Sequence, residues 1–242
     1  MKIEFPGTKG EIEESSAGHK YHSSLIIDYK STRVLIDLGL KRNPRLLKEI
    51  NNFDYLLITH AHPDHYSWTV EDVKNVKIPV YMTGVTLDYG KYKPVDYRVI
   101  KSGVEYSLKD LKITAFEVLH SLRCPAVAYR IKGDRTIIYA PDILDFKEDK
   151  SAVLDVVDLL IADGSSLNIN MVRRREDKIF GHTRIKTIIG WCRKYGLKKL
   201  IITHCGKQLV TMDESELKKK IEEYSEGKVD VKVAYDNYII DI

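Results

Sequence analysis

The chain has 242 residues, 43% of them hydrophobic and 31% charged. That is ample for a buried core and excludes a disordered polymer. The formal charge of +4 tolerates an anionic substrate without singling out nucleic acid, and no apolar run approaches the roughly 20 residues that cross a bilayer.

The N-terminal stretch Met1–Gly7 lacks the apolar centre of a signal peptide. Cys124, Cys192 and Cys205 are odd in number and widely spaced, which argues against a disulfide framework or zinc ribbon and for a cytoplasmic location. Short runs rich in Val, Ile, Tyr and Leu, bounded by Gly, Asp, Lys and Pro, predict strands. In chain order, strands are predicted over Ser23–Tyr29 and Arg33–Asp37, a helix over Pro44–Asn52, a strand over Tyr55–Thr59 and a helix over Val70–Val76. Strands follow over Pro79–Thr83, Tyr97–Lys101, Lys112–Leu119, Ala126–Ile131 and Thr136–Ala140. The rest reads as a helix over Ser151–Val157, a strand over Asp158–Ala162, a helix over Thr183–Tyr195, a strand over Lys199–Thr203, a helix over Asp213–Ser225 and a strand over Val231–Ile239. Ile185, Ile188, Ile189 and Cys192 share one helical face. Thr211 followed by Glu214 reads as a capping box. Two blocks of antiparallel-looking strands, each followed by helices, predict two packed sheets with helices outside, in a single domain over 1–242.

The chemistry concentrates where the fourth predicted element of this series ends. The strand Tyr55–Thr59 runs straight into His60-Ala61-His62-Pro63-Asp64-His65. Imidazole nitrogens and carboxylate oxygens are natural ligands of zinc and similar ions, and three of the eight histidines fall within these six positions. A strand end with a tight turn fixed by Pro63 aims alternate side chains at one point. A two-ion site needs further ligands, and His120, Asp142 and His204 each stand just past an apolar strand. Asp163 also follows a strand, and His182 opens a predicted helix; a carboxylate bonded to an imidazole fixes its tautomer and raises its basicity.

These residues resemble the metallo-β-lactamase superfamily. The run His60–His65 looks like its H-x-H-x-D-H motif, and His120, Asp142 and His204 match the remaining ligand positions in order. Phe5–Gly10 resembles the opening strand and glycine turn, and Leu35–Gly39 the second strand. The resemblance implies a four-layer αββα sandwich, two mixed sheets flanked by helices. It also implies two divalent ions, zinc or alternatively manganese: His60, His62 and His120 hold the first, Asp64, His65 and His204 the second, and Asp142 bridges them. A pair of ions can lower the pKa of a shared water from 15.7 towards ~7 and so furnish a metal-activated hydroxide, with Asp64 orienting or deprotonating it. One departure is Ala140-Pro141 before Asp142 and Ile143 after it, where the family more often has Gly and Thr.

Gly181-His182-Thr183 resembles the phosphodiesterase branch, which includes tRNase Z and phosphoribosyl cyclic phosphodiesterase. The resemblance implies that His182 contacts the scissile phosphate with support from Asp163. Arg123, and Arg173 and Arg175 in a loop before His182, suit an anionic substrate, and His22 is placed at the pocket rim. Only 22 positions separate His120 from Asp142, leaving no room for a tRNA-gripping arm. A small or cyclic phosphodiester is therefore the expected substrate and a homo-oligomer is allowed. RNA processing of the tRNase Z kind, and thioester or β-lactam hydrolysis on the same fold, are the alternatives.

Overall fold

The computed structural model describes residues 1–242. Its strands are β1 (Lys2–Gly7), β2 (Ser24–Tyr29), β3 (Thr32–Ile36), β4 (Tyr55–Leu57), β5 (Val80–Thr83), β6 (Tyr97–Ile100), β7 (Glu105–Leu108), β8 (Leu111–Leu119) and β9 (Ala126–Lys132). They continue as β10 (Thr136–Ala140), β11 (Asp145–Phe146), β12 (Leu159–Asp163), β13 (Met171–Arg175), β14 (Lys178–His182), β15 (Lys199–Thr203), β16 (Asp230–Val233) and β17 (Tyr238–Asp241). The helices are α1 (Pro44–Glu49), α2 (Gly84–Tyr89), α3 (Lys150–Val153), α4 (Ile185–Tyr195), α5 (Lys207–Thr211) and α6 (Glu214–Ser225).

The first sheet runs β17-β1-β2-β3-β4-β5-β6, antiparallel as far as β3 and parallel beyond it. The second runs β11-β8-β9-β10-β12-β15-β16, antiparallel as far as β10 and parallel beyond, with β7 also pairing on β8. Both sheets are mixed. Alternation along each strand sorts the side chains into layers. Val34 and Ile36 of β3, with Ile137 and Tyr139 of β10, fill the space between the sheets. Leu35 packs outward against α1 and the loops beside it, while Ile138 and Ala140 pack outward against α4 and α6. The order is therefore αββα, with each sheet buried on both faces, as continuous Val/Ile/Leu runs require.

Helix ends follow local chemistry. Asn43 caps α1 through its side chain, with Pro44 in the first turn, and Gly196, in the left-handed region, ends α4. At α6 the cap is Asp213, whose carboxylate accepts from Ser215 N–H and Glu216 N–H, rather than Thr211. Thr211 lies in the last turn of α5, where its hydroxyl donates to Lys207 O. The helix expected over Val70–Val76 does not form. That segment is irregular, yet Val73 and Val76 still bury themselves in the outer core. The strand expected over Val231–Ile239 is two strands in different sheets, broken at Asn237, which adopts φ +65°. Asp236 pins this turn by accepting from Thr8 Oγ1 and from Tyr21 N–H. No helix is long and apolar enough to cross a membrane.

Strand direction places the functional residues. In the second sheet β8, β10, β12 and β15 all run the same way, and β3 and β4 are parallel in the first. The sheets are tied together beside these strand ends: Tyr129 Oη of β9 donates to Ile58 O (2.8 Å), and Val127 N–H donates to Thr59 O (3.1 Å). Tyr129 is fully buried, so its removal strands a carbonyl in a dry interior. Tyr129→Phe is expected to lower unfolding stability by about 1–3 kcal/mol in urea titration. An unchanged midpoint would show that this bond does not hold the sheets.

Candidate metal centre

Each candidate side chain leaves the carboxyl end of a strand. β4 leads into His60, His62, Asp64 and His65; β8 into His120; β10 into Asp142; β15 into His204. The structure brings all seven together. His62 Nδ1 lies 3.0 Å from His60 Nε2 and 3.1 Å from His120 Nε2, so three imidazoles face one point. Beside them, Asp64 Oδ2 lies 3.1 Å from His204 Nε2 and 3.2 Å from His65 Nε2. Asp142 stands between the two groups. Its Oδ2 is 2.8 Å from His65 Nε2 and 3.4 Å from His204 Nε2, and its Oδ1 is 3.7 Å from His120 Nε2. Each trio offers one donor atom per residue within 4.8 Å of the others.

The donor set fits divalent cations on a specific observation. His65 Nε2 and Asp142 Oδ2 are 2.8 Å apart, yet neither makes a hydrogen bond, and both are buried. Buried polar atoms are normally satisfied. Two atoms this close that do not address each other are aimed at a shared third position. The electrostatics agree. Burial keeps the His60 and His62 rings neutral and pushes His120 down to about 4, leaving each with a lone pair to offer. Burial also opposes charge on His65 and His204, but the surrounding carboxylates outweigh it, raising His65 and carrying His204 up to about 10. A ring proton and a neighbouring cation answer the same field.

Supporting groups hold these rings. Asp37, at the end of β3, is fully buried with φ +64°. It accepts from Thr59 N–H and from His65 Nδ1–H, both at 2.8 Å. Thr59 Oγ1 in turn lies 3.0 Å from His60 Nδ1. The sequence reading ended a strand at Asp37 without giving it a task, although a carboxylate just past an apolar strand is the same signal that marked Asp142 and Asp163. Ser165 was also missed; its Oγ lies 3.1 Å from His182 Nδ1 and 3.2 Å from His204 Nδ1. Gly10 admits His204 closely: a Cβ there would fall 2.9 Å from the ring.

His182 ends β14 instead of opening a helix, and α4 begins three residues later. The preceding Gly181 has φ +125°, and its N–H donates to His120 O at 2.7 Å, which seats the hairpin against the cluster. His182 Nδ1–H donates to Asp163 Oδ2 at 2.7 Å. Burial disfavours the charged ring, but the Asp163 carboxylate more than compensates and raises its pKa. The segment with Arg173 and Arg175 is strand β13 of that hairpin rather than a loop. Both arginines line a cavity of ≈ 710 Å³ with Arg123. A second cavity, of ≈ 760 Å³, is lined by Asp64, Asp142 and His204. His22 lines neither. It is buried, its Nδ1 accepts from Lys41 N–H, and burial pushes its pKa down to about 3, so the rim position expected for it is corrected to an interior one. Cys205 sits in the outer core, and all three cysteines are free.

Residues 32–205 match the profile of the β-lactamase superfamily domain, a stretch holding every ligand candidate. The chain belongs to this superfamily. Within it, ribonuclease Z of Methanopyrus kandleri is 28% identical over 147 residues, covering 54% of this chain and 50% of that protein. A metal-dependent hydrolase of Nanoarchaeum equitans is 28% identical over 137 residues, covering 52% and 60%. The chain thus spans about half the length of the relatives it matches in sequence. Two solved structures share the superfamily fold along almost the whole chain. The metallo-β-lactamase fold protein YhfI from Bacillus subtilis has a TM-score of 0.72 at 16% identity, covering 99% of this chain and 98% of its own. A diphosphatase from the PhnP family has 0.70 at 16%, covering 100% and 97%.

Asp37 supplies the test of this geometry. A carboxylate that orients a ligating imidazole contributes about 10–100-fold in metal affinity. Asp37→Asn is expected to weaken zinc binding by that factor in competition with a chromophoric chelator. Unaltered affinity would remove Asp37 from the centre.

Proposed function

We propose that this protein is a dinuclear metal-dependent phosphodiesterase. His60, His62 and His120 would hold one divalent ion and Asp64, His65 and His204 the other, with Asp142 placed to serve both. Zinc is the preferred ion, with manganese as the alternative. When bound, the ions supply a water of lowered pKa and positive charge against the phosphoryl oxygens.

The observation that carries this reading is His182. It stands where the two cavities meet and lines both, 18% exposed along its side chain. Its Nδ1 is committed to the buried Asp163, which fixes the tautomer and leaves Nε2 for substrate. Burial opposes charge on the ring, but the Asp163 carboxylate outweighs it and raises the pKa, which favours the protonated form. His182 therefore delivers a proton from Nε2 to the departing alkoxide oxygen as the phosphorus–oxygen bond breaks. Asp64 has a different task. Burial would raise its pKa, but His65 and His204 hold it well below the usual carboxylate range. It is a poor base, and its Oδ1, free of protein partners, orients the attacking water by accepting a hydrogen bond.

Support also comes from the relatives. A ribonuclease and a diphosphatase are both named for breaking phosphorus–oxygen bonds. Thioester or β-lactam hydrolysis gives no task to His182. The interval between His120 and Asp142 is filled by β9, β10 and their turn, so it carries no RNA-gripping arm.

Purified protein loaded with zinc or manganese is expected to hydrolyse bis-p-nitrophenyl phosphate, to lose activity to a chelator and to regain it with metal. His182→Ala should lower kcat for an alkyl-leaving-group phosphodiester about 10²–10⁴-fold while metal content stays at the wild-type level. The reading fails if no divalent ion supports turnover, or if thioesters are cleaved and phosphodiesters are not.

A further inference from the structure

Every other arginine in the chain donates to a protein oxygen. Arg123, Arg173, Arg174 and Arg175 have no such partner. Glu176 and Asp177, at the tip of the same hairpin, pair with none of them. Three of the four, Arg123, Arg173 and Arg175, line the ≈ 710 Å³ cavity, and no carboxylate lines it with them. Guanidinium groups left unpaired in a concave, acid-free wall suit a phosphate.

The hairpin gives this wall a regular spacing. Its cross-strand pairs are Met171 with His182, Arg173 with Phe180, and Arg175 with Lys178. Alternation puts these pairs on one face and turns Arg174 to the other. Successive same-face rungs are two residues, roughly 7 Å, apart. Arg173 thus lies one rung from His182, with the Phe180 ring and Met171 beside it in the cavity wall. One rung is about what a ribose places between its 3′ and 5′ phosphates.

We propose that Arg123, Arg173 and Arg175 form a subsite for a second phosphate. The substrates are then phosphodiesters of which one half carries a further phosphate one sugar away, as in an esterified nucleoside 3′,5′-bisphosphate. This rests on the phosphodiesterase reading for the position of the scissile phosphate at His182. The remaining half of the ester lies in the ≈ 760 Å³ cavity, whose only lining cation outside the histidines, Lys207, is paired with Glu14.

Two measurements test it. Equilibrium binding compares thymidine 3′,5′-bisphosphate with thymidine 5′-monophosphate on the metal-loaded protein, and needs no turnover. The bisphosphate should bind at least tenfold more tightly. Arg173→Ala should remove most of that preference, whereas Arg174→Ala, equal in charge change but on the opposite face, should retain it. Hydrolysis then compares thymidine 5′-(p-nitrophenyl phosphate) with its 3′-phosphorylated form, where the same preference should appear in KM. Equal binding of the two nucleotides overturns the subsite, as does equal loss in Arg173→Ala and Arg174→Ala, which would show only a diffuse positive field. A bisphosphate preference in binding without hydrolysis of either ester would keep the subsite and sink the phosphodiesterase reading instead.

Discussion

A carboxylate buried as deeply as Asp142, at 4% exposure, must be met by positive charge. Everything around it is arranged to that end. His65 and His204, both with raised pKa, approach it from two separate chain segments, and His182 Nδ1 lies 3.6 Å from its Oδ1. No sheet edge could hold such a group unless several strands delivered counter-charge to the same place. The parallel half of each sheet does this, because parallel strands end together on one side. The antiparallel halves contribute less chemistry and more closure: β9 ties the sheets across Tyr129 and Val127 immediately beneath the cluster.

The cost of concentrating charge is visible in the backbone. Asp37 and His204 both take positive φ, at 64° and 53°, a conformation that side-chain-bearing residues adopt reluctantly. Both sit where a strand must stop abruptly and aim a side chain inward. Their strain is offset by what surrounds them: two donors on Asp37 and the close seat of Gly10 under His204. The cluster is thus held by the groups behind the candidate ligands as much as by those side chains themselves.

Much of this was legible in the sequence, for a definite reason. Strands buried on both faces read as short apolar runs, and a polar residue directly after such a run is conspicuous. That signal found His60, His120, Asp142, Asp163 and His204, and it sufficed for Asp37 had it been applied there. It failed where burial does not alternate. All five residues of β13 are exposed, so the run Met171–Arg175 resembles a solvated loop until its partner strand is known. Val70–Val76 has apolar residues at helical spacing, but three β-branched valines with Asp72 and Asn75 weaken the helix, and Val73 and Val76 reach the core without it. Val231–Ile239 hid its break because Asp236 stabilises the turn through Thr8 and Tyr21, more than two hundred positions away.

The hairpin β13–β14 divides its labour along its length. Its base is fixed: Gly181 N–H donates to His120 O, Thr183 N–H to Ile143 O at 2.8 Å, and His182 to Asp163. Its other end has neither sheet beneath it, and its guanidinium groups are unpaired. A proton donor has to be placed within a fraction of an ångström of its target, whereas an anion subsite built from arginine tolerates movement because long flexible side chains supply the contact. Carrying the proposed proton donor and the proposed anion subsite on one two-stranded ribbon would let a single element set the distance between them while only one end is rigid. Altering Phe180, which pairs with Arg173 one rung from His182, would on that reading change which substrates fit without disturbing the candidate metal centre, and substitutions in the turn at Glu176 and Asp177 would reach neither.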